Sequence, residues 1–262
     1  NQTDDESDFI LSPKASIAYA FSENNEMYFS YGNGFHSNDA RGVITFADPI
    51  TGEKLTPADP LVKSTGFEWG IKALINEQLN TSIAVWSLEL DSELLFVGDA
   101  GTTEANRPSK RWGIEFNNLW SINDIWSLEA DIAYSNAKFD DKDFENRSIP
   151  GSLKNVASGI LSAEYPSGLF GSLSFRYFGE VPLIENGSIK SEGSTYANLA
   201  LGWSMDNFQV QLDILNLFDS NDHDIDYFYA SRLSGEPLGG YEDIHYHIFE
   251  PRQIRLYLSR EF

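Results

Sequence analysis

The chain has 262 residues, 14% of them aromatic, with 20 glycines, two methionines and no cysteine, and it carries a formal charge of −22 at a pI near 4.3. The absence of cysteine excludes a disulfide framework and a thiolate metal centre, and the acidic balance argues against a nucleic-acid partner, because phosphate binding needs a basic surface. No apolar run approaches the roughly 20 residues of a membrane helix, yet a transmembrane barrel keeps its apolar band in every second residue and escapes hydropathy averaging.

Period-2 alternation divides the chain into segments of about 9 to 13 residues, the length of a tilted membrane strand. The first, 13–21, puts Ala15, Ile17, Tyr19 and Phe21 on one face, and 27–35 aligns Met27, Phe29 and Tyr31. Segment 65–75 presents Phe67, Trp69, Ile71, Ala73 and Ile75; segment 81–90 presents Ala84, Trp86, Leu88 and Leu90, with Glu68, Lys72, Ser87 and Glu89 on the opposite faces. In 111–120, Trp112, Ile114 and Phe116 alternate with Gly113, Glu115 and Asn117. In 125–137, Trp126, Leu128, Ala130, Ile132 and Tyr134 alternate with Ser127, Glu129, Asp131, Ala133 and Ser135, a pattern that a helix would scatter around its circumference. Segments 155–165, 170–180, 195–205 and 208–218 follow. The terminal strand has Ile254, Leu256, Leu258 and Phe262 on one face, which brings the expected count to eleven.

Connections alternate in length. Residues 22–26, 76–80, 121–124, 166–168 and 206–207 are tight and polar, whereas 36–64, 91–110, 138–154, 181–194 and 219–249 are long. Turns on one side and loops on the other fit an all-β transmembrane antiparallel barrel, and a soluble sandwich has no reason to sort them. Trp69, Trp86, Trp112, Trp120, Trp126, Trp203, Tyr19, Tyr134, Tyr165 and Tyr177 fall near strand ends, as interfacial girdles or as ordinary core aromatics. The expected lipid-facing set is Trp126, Leu128, Ile132, Phe208, Val210, Leu212, Ile254, Leu256 and Leu258. An odd number of strands cannot close antiparallel, and open edges in lipid leave backbone groups unsatisfied; further strands are therefore expected before residue 1.

Several strings, in order, resemble the C-terminal half of the barrel of a TonB-dependent outer-membrane receptor: LVKSTGFEWGIKA (61–73), SKRWGIEFNNLW (109–120), SIPGSLKNVASGIL (148–161), LDILNLFDSND (212–222) and EPRQIRLYLSREF (250–262). The resemblance covers essentially all of 1–262 as one domain portion, with Arg260 departing from the aromatic usual at its place. It implies about 22 strands in the whole barrel, with this chain supplying the last eleven and with the plug, the TonB box and the first half lying upstream. It also implies the outer membrane of a Gram-negative bacterium and active uptake of a scarce bulky solute, most commonly a ferric siderophore or other iron complex. Cobalamin, an oligosaccharide or another metal complex is the alternative cargo, and a porin or adhesin-type barrel is the alternative outside the family. Implied partners are outer-membrane lipid, the TonB-ExbB-ExbD complex acting through the upstream part, and the barrel-assembly machinery, which reads Ile254, Leu256, Leu258 and Phe262.

No Gly-x-Ser-x-Gly, His-Glu-x-x-His or P-loop pattern occurs, so neither catalysis nor a cofactor is expected. The last loop holds the candidate ligand residues. Asp222, Asp224 and Asp226 imitate the start of a calcium loop, but Tyr227 stands where Gly is required and Leu233 where Glu is required, so that reading is rejected. His245 and His247 share a face if extended, as two imidazoles for a metal complex or as hydrogen-bonded rim residues. Tyr227, Tyr229 and Arg232 suit stacking on and pairing with an anionic organic chelate, or else packing of the loop upon itself.

Overall fold

A computed structural model describes residues 7–37, 59–92, 95–97, 102–104 and 107–260, together with residues 43, 44, 47, 52, 54 and 57. Eleven strands form one antiparallel sheet: β1 (Lys14–Ser22), β2 (Asn25–Ser37), β3 (Leu61–Ile75), β4 (Leu79–Leu90), β7 (Ser109–Ser121), β8 (Trp126–Phe139), β9 (Asn155–Glu164), β10 (Leu169–Phe178), β11 (Ser194–Met205), β12 (Phe208–Leu215) and β15 (Gln253–Arg260). Two hairpins stand apart from it, β5 (Leu95–Val97) with β6 (Thr102–Glu104) and β13 (His223–Ser231) with β14 (Tyr241–Ile248). Within the sheet each strand pairs only with the strand before and the strand after it, so β1 and β15 are the two edges. The expected terminal residue of the last strand, Phe262, lies outside the described residues.

The turns explain the register. Asn76 and Glu77 (φ 53° and 58°) take the left-handed conformation at the β3–β4 turn, and Asp206 (φ 48°) does so between β11 and β12, as tight hairpins demand. Gly168 (φ 83°) closes the β9–β10 turn, where a Cβ would run into the carbonyl oxygen of Ser204. All the short connections lie at one end of the sheet. At the other end the strands run farther than the alternation predicts, β3 beginning at Leu61 and β8 reaching Phe139, before the long loops begin.

Directly opposite residues share a face, so the ladders trace rows across the sheet. One row runs Tyr19, Met27, Ile71, Ile83, Phe116, Ile132 and Ala157; another runs Leu128, Leu161, Leu173, Leu199, Ile214 and Ile254. This face is open. Ile17 is 68% exposed, Ile132 57% and Leu256 63%. The apolar residues most withdrawn from solvent instead include Val62, Phe139, Ile149, Leu183 and Phe249, at or beyond the long-loop end. A sheet that exposes its apolar face across eleven strands and keeps its large buried apolar side chains at the long-loop end is built for a hydrocarbon solvent. A polar residue on this face has its amide satisfied internally: Thr81 donates to Asn118 Oδ1 at 2.7 Å, and Asn118 Nδ2 donates to the Ala130 carbonyl at 3.1 Å.

β4 departs from the expected alternation. Ile83 and Val85 stand in the lipid-facing rows opposite Ile71 and Trp69, whereas Ala84, Trp86 and Leu88 face the other way, opposite Gly70, Glu68 and Gly66. Both faces of this strand are apolar, so its own pattern is ambiguous and the neighbours decide. Trp86 is consequently no girdle residue. Its ring lies over Gly113, directly across the ladder, as Tyr28 lies over Gly70, Phe175 over Gly159 and Phe170 over Gly202. Each of these glycines makes room for an aromatic ring that occupies the space a Cβ would fill.

On this geometry Ile132→Arg should cost the assembled barrel about 2 to 4 kcal/mol and Asp131→Arg far less, measured by denaturant titration of the full-length protein in lipid vesicles. Gly113→Val, which drives a branched side chain into the Trp86 ring, should cost about 1 to 3 kcal/mol in the same titration.

Candidate functional site

The long loops form two built structures. The first begins at Arg107, just before β7. Its guanidinium forms a two-pronged pair with Asp141, donates Nη1 to Glu185 Oε2 at 2.8 Å, and lies 4.3 Å from the centroid of the buried Phe139 ring. Asp141 belongs to the β8–β9 loop and Glu185 to the β10–β11 loop, so one side chain joins three connections. Backbone bonds complete the joint, from Ser148 N to Glu185 O and from Gly151 N to Pro182 O, both at 2.8 Å. Ile149 and Leu183 are buried beneath them. The pairing with Arg107 holds the Asp141 carboxyl below its usual value. A carboxyl depressed in the folded state contributes stability above its unfolded pKa and loses it as pH falls through the folded value, so the joint is complete at neutral pH and loosens on acidification.

The second structure is the root of the last loop. Asn216 (φ 50°) is 1% exposed; its Nδ2 donates to the carbonyls of Ser220 (2.9 Å) and Glu250 (3.0 Å), and its Oδ1 accepts from Ser220 N at 2.9 Å. Asp219 accepts from the backbone N of Arg252 at 2.9 Å and pairs with its guanidinium at 3.3 Å, contacts that hold the Asp219 carboxyl below its usual value. The Asn-Leu-Phe-Asp and Pro-Arg strings are thus two halves of one clamp.

Above this clamp stands the β13–β14 hairpin. The ladder pairs Tyr227 with His245, Tyr229 with Asp243 and Ile225 with His247, so Tyr227, Tyr229, His245 and His247 occupy one face. Arg232 lies beyond the end of β13, where its Nε donates to the Glu236 carbonyl at 3.1 Å. The imidazole of His245 stacks on the Tyr229 ring at 3.9 Å, with Nε2 3.2 Å from the Tyr229 carbonyl, and His247 Nδ1 is 2.9 Å from Asp224. On the opposite face His223 contacts Asp226 at 2.6 Å and stacks on Tyr246 at 3.8 Å. Asp222 accepts from Thr195 N at 2.8 Å. The three aspartates of the apparent calcium loop are therefore occupied in holding the hairpin. Among the described residues no cluster of three or more His or carboxylate groups is arranged to hold a metal ion.

The family model "TonB dependent receptor-like, beta-barrel" matches residues 1–217. The chain belongs to this family. It is a family of outer-membrane receptors rather than of enzymes, and the exposed apolar face of the TonB-dependent receptor sheet is accordingly its membrane face. A ferric-pyoverdine receptor of Pseudomonas putida is 28% identical over 151 residues, which are 57% of this chain and 17% of that protein. Among solved structures, the ferric-catecholate import receptor Fiu of E. coli matches with a TM-score of 0.70 at 21% identity over 95% of this chain and 34% of its own, and the ferric yersiniabactin uptake receptor FyuA of Yersinia pestis with 0.75 at 17% identity over 95% and 37%. The chain thus spans about a third of the length of these solved receptors.

Sequence reasoning singled out the aromatic and imidazole residues of the hairpin but missed Arg107 and gave Asn216, Asp219 and Arg252 no role. Nothing in the pattern around Arg107 distinguishes it from other loop charges. The clamp residues stand in the quoted family strings, and left-handed Asn and Asp at a strand end were a usable signal.

Arg107→Ala should raise amide hydrogen exchange in both 140–151 and 182–191 of the folded receptor while leaving the strands unchanged. Arg107→Lys, which keeps the charge but loses the fork, should fall between. Because the Asp141 carboxyl is held below its usual value, the wild type should keep its protection in mild acid and approach the alanine variant only in strong acid, as pH falls through that depressed value.

Proposed function

We propose that this chain is the C-terminal portion of the barrel of a TonB-dependent active transporter, which takes up a ferric siderophore or a related iron complex across the outer membrane. One observation carries the reading: a receptor-family sheet gathers every long connection at one end, ties three of them together with a joint and holds the last by a clamp. Binding residues sit on loops held by a rigid scaffold, and the β13–β14 hairpin is the most elaborate such element among the described residues. The iron-chelate names of the relatives support the cargo class. In this reading the chain is a transporter part with no catalytic role. The edges at β1 and β15 are covered by strands encoded upstream together with a plug and a TonB box, through which TonB, ExbB and ExbD supply energy. Ile254, Leu256, Leu258 and Phe262 present the signal to the barrel-assembly machinery.

Within the site, Tyr227, Tyr229 and Arg232 are proposed as contacts for an organic chelate, and His245 and His247 as the contacts that a directly ligated metal would use instead. The test is uptake and binding by the full-length receptor with Ala at Tyr227, Tyr229 and Arg232, compared with His245 and His247 changed together. Loss in the first set alone is expected; loss in the second alone would shift the reading to a directly ligated metal, and unchanged binding in both would remove the hairpin from the site. The reading frame before residue 1 should encode a plug, and a signal peptide leading straight into strands would overturn the transporter reading. Removing Phe262 should lower the amount of protease-resistant barrel without altering the stability of the molecules that assemble.

A further inference from the structure

The rows of the membrane face change character toward the long loops. A row containing Ile17, Phe29, Trp69, Val85, Ile114 and Tyr134 is apolar throughout, and the next contains Tyr31, Phe67, Ser87, Trp112 and Asn136. The row after that is polar: Asn33, Thr65, Glu89, Lys110 and Lys138. One step farther, Lys63 stands opposite Phe35. Hydrocarbon-facing, amphipathic and ionic rows succeed one another as acyl chains give way to headgroups, so this ionic row stands at headgroup level on the long-loop side.

The lysines there are unevenly satisfied. Lys110 pairs with Glu89 at 3.0 Å and Asp140 at 3.4 Å, which neutralises it. The side chain of Lys138, directly opposite Lys110, forms no ion pair or hydrogen bond among the described residues, nor does that of Lys63, whose backbone carbonyl accepts from Asp91 N. Both are exposed. Glu89 and Asp140 are spent on Lys110, which leaves the ammonium groups of Lys63 and Lys138 as the uncompensated positive charges at headgroup level. The amphipathic row directly below supplies a surface for the upper part of an acyl chain, which a free anion would not use.

We propose that Lys63 and Lys138 flank a binding site for the phosphate of a lipid headgroup in the surrounding leaflet, with Lys110 held between them by Glu89 and Asp140 as a fixed, neutralised spacer. Long Lys stems lie along the apolar surface while the ammonium reaches the phosphate plane, and each lysine so placed strengthens anionic-lipid association by about fivefold. The site rests on the membrane reading of the sheet and is independent of cargo.

The test reconstitutes the full-length receptor in phosphatidylcholine vesicles and measures, by spin-label spectroscopy, the association of labelled phosphatidylglycerol relative to labelled phosphatidylcholine. Lys63→Gln with Lys138→Gln should lower that preference at least fivefold, Lys63→Arg with Lys138→Arg should preserve it, and Lys72→Gln, on the other face of the sheet, should leave it unchanged. An unchanged preference in the glutamine variant, or an equal fall with Lys72→Gln, would overturn the site. Loss of the wild-type preference in millimolar inorganic phosphate would reassign it to a free anion. No cargo enters the assay, so its outcome is separate from that of the uptake experiment.

Discussion

The governing constraint is that no backbone N–H or C=O in the apolar band has water to turn to, so every such group must be paired within the sheet. A meander in which each strand bonds only to its sequence neighbours meets this constraint with the shortest connections available, and those connections are the tight turns at Asn76, Gly168 and Asp206. The same constraint reaches the side chains. Asn118 is tolerated on the membrane face because Thr81 and a carbonyl of β8 consume its amide, and Gly70, Gly113, Gly159 and Gly202 are tolerated in mid-strand because an aromatic ring across the ladder covers each of these four.

Placing the apolar residues of the strands against lipid leaves them unable to stabilise anything above the membrane, and the loops must find cores of their own. Phe139, Ile149 and Leu183 form one such core, closed by the Arg107 guanidinium, whose planar fork engages Asp141 while its face covers Phe139. Asn216 solves the other problem, that of holding a loop of more than thirty residues by its root, roughly as a backbone mimic does in an Asx turn. It satisfies carbonyls on both arms, and Asp219 ties the returning arm through Arg252. Both devices are ionic or polar, as suits segments that meet water rather than lipid.

How much of this was legible follows from the same division. The strands were legible because period-2 alternation is forced by two different solvents on two faces, and the sorted connections revealed which end was which. β4 was misread because Ala84, Trp86 and Leu88 line one face while Ile83 and Val85 line the other; only pairing to β3 breaks that tie. The Arg107 joint was illegible since its partners, Asp141 and Glu185, lie 34 and 78 residues away, and loop charges carry no periodicity. For the hairpin, the shared face of His245 and His247 was legible as a consequence of extension, whereas the stack of His245 on Tyr229 required the register.

That register bears on the chemistry the hairpin favours. A directly bound metal needs about three or four protein ligands in fixed geometry, but His245 and His247 are only two, and among the described residues no third His or carboxylate is grouped with them to hold a metal ion. Recruiting further donors would mean releasing the aspartates that hold the hairpin, at the cost of the scaffold itself. An organic chelate makes no such demand, because it arrives with its metal already ligated and asks only for flat surfaces and peripheral hydrogen bonds. The half-exposed Tyr227 ring, beside the imidazole of His245 on the same face, offers both without disturbing any contact that shapes the loop.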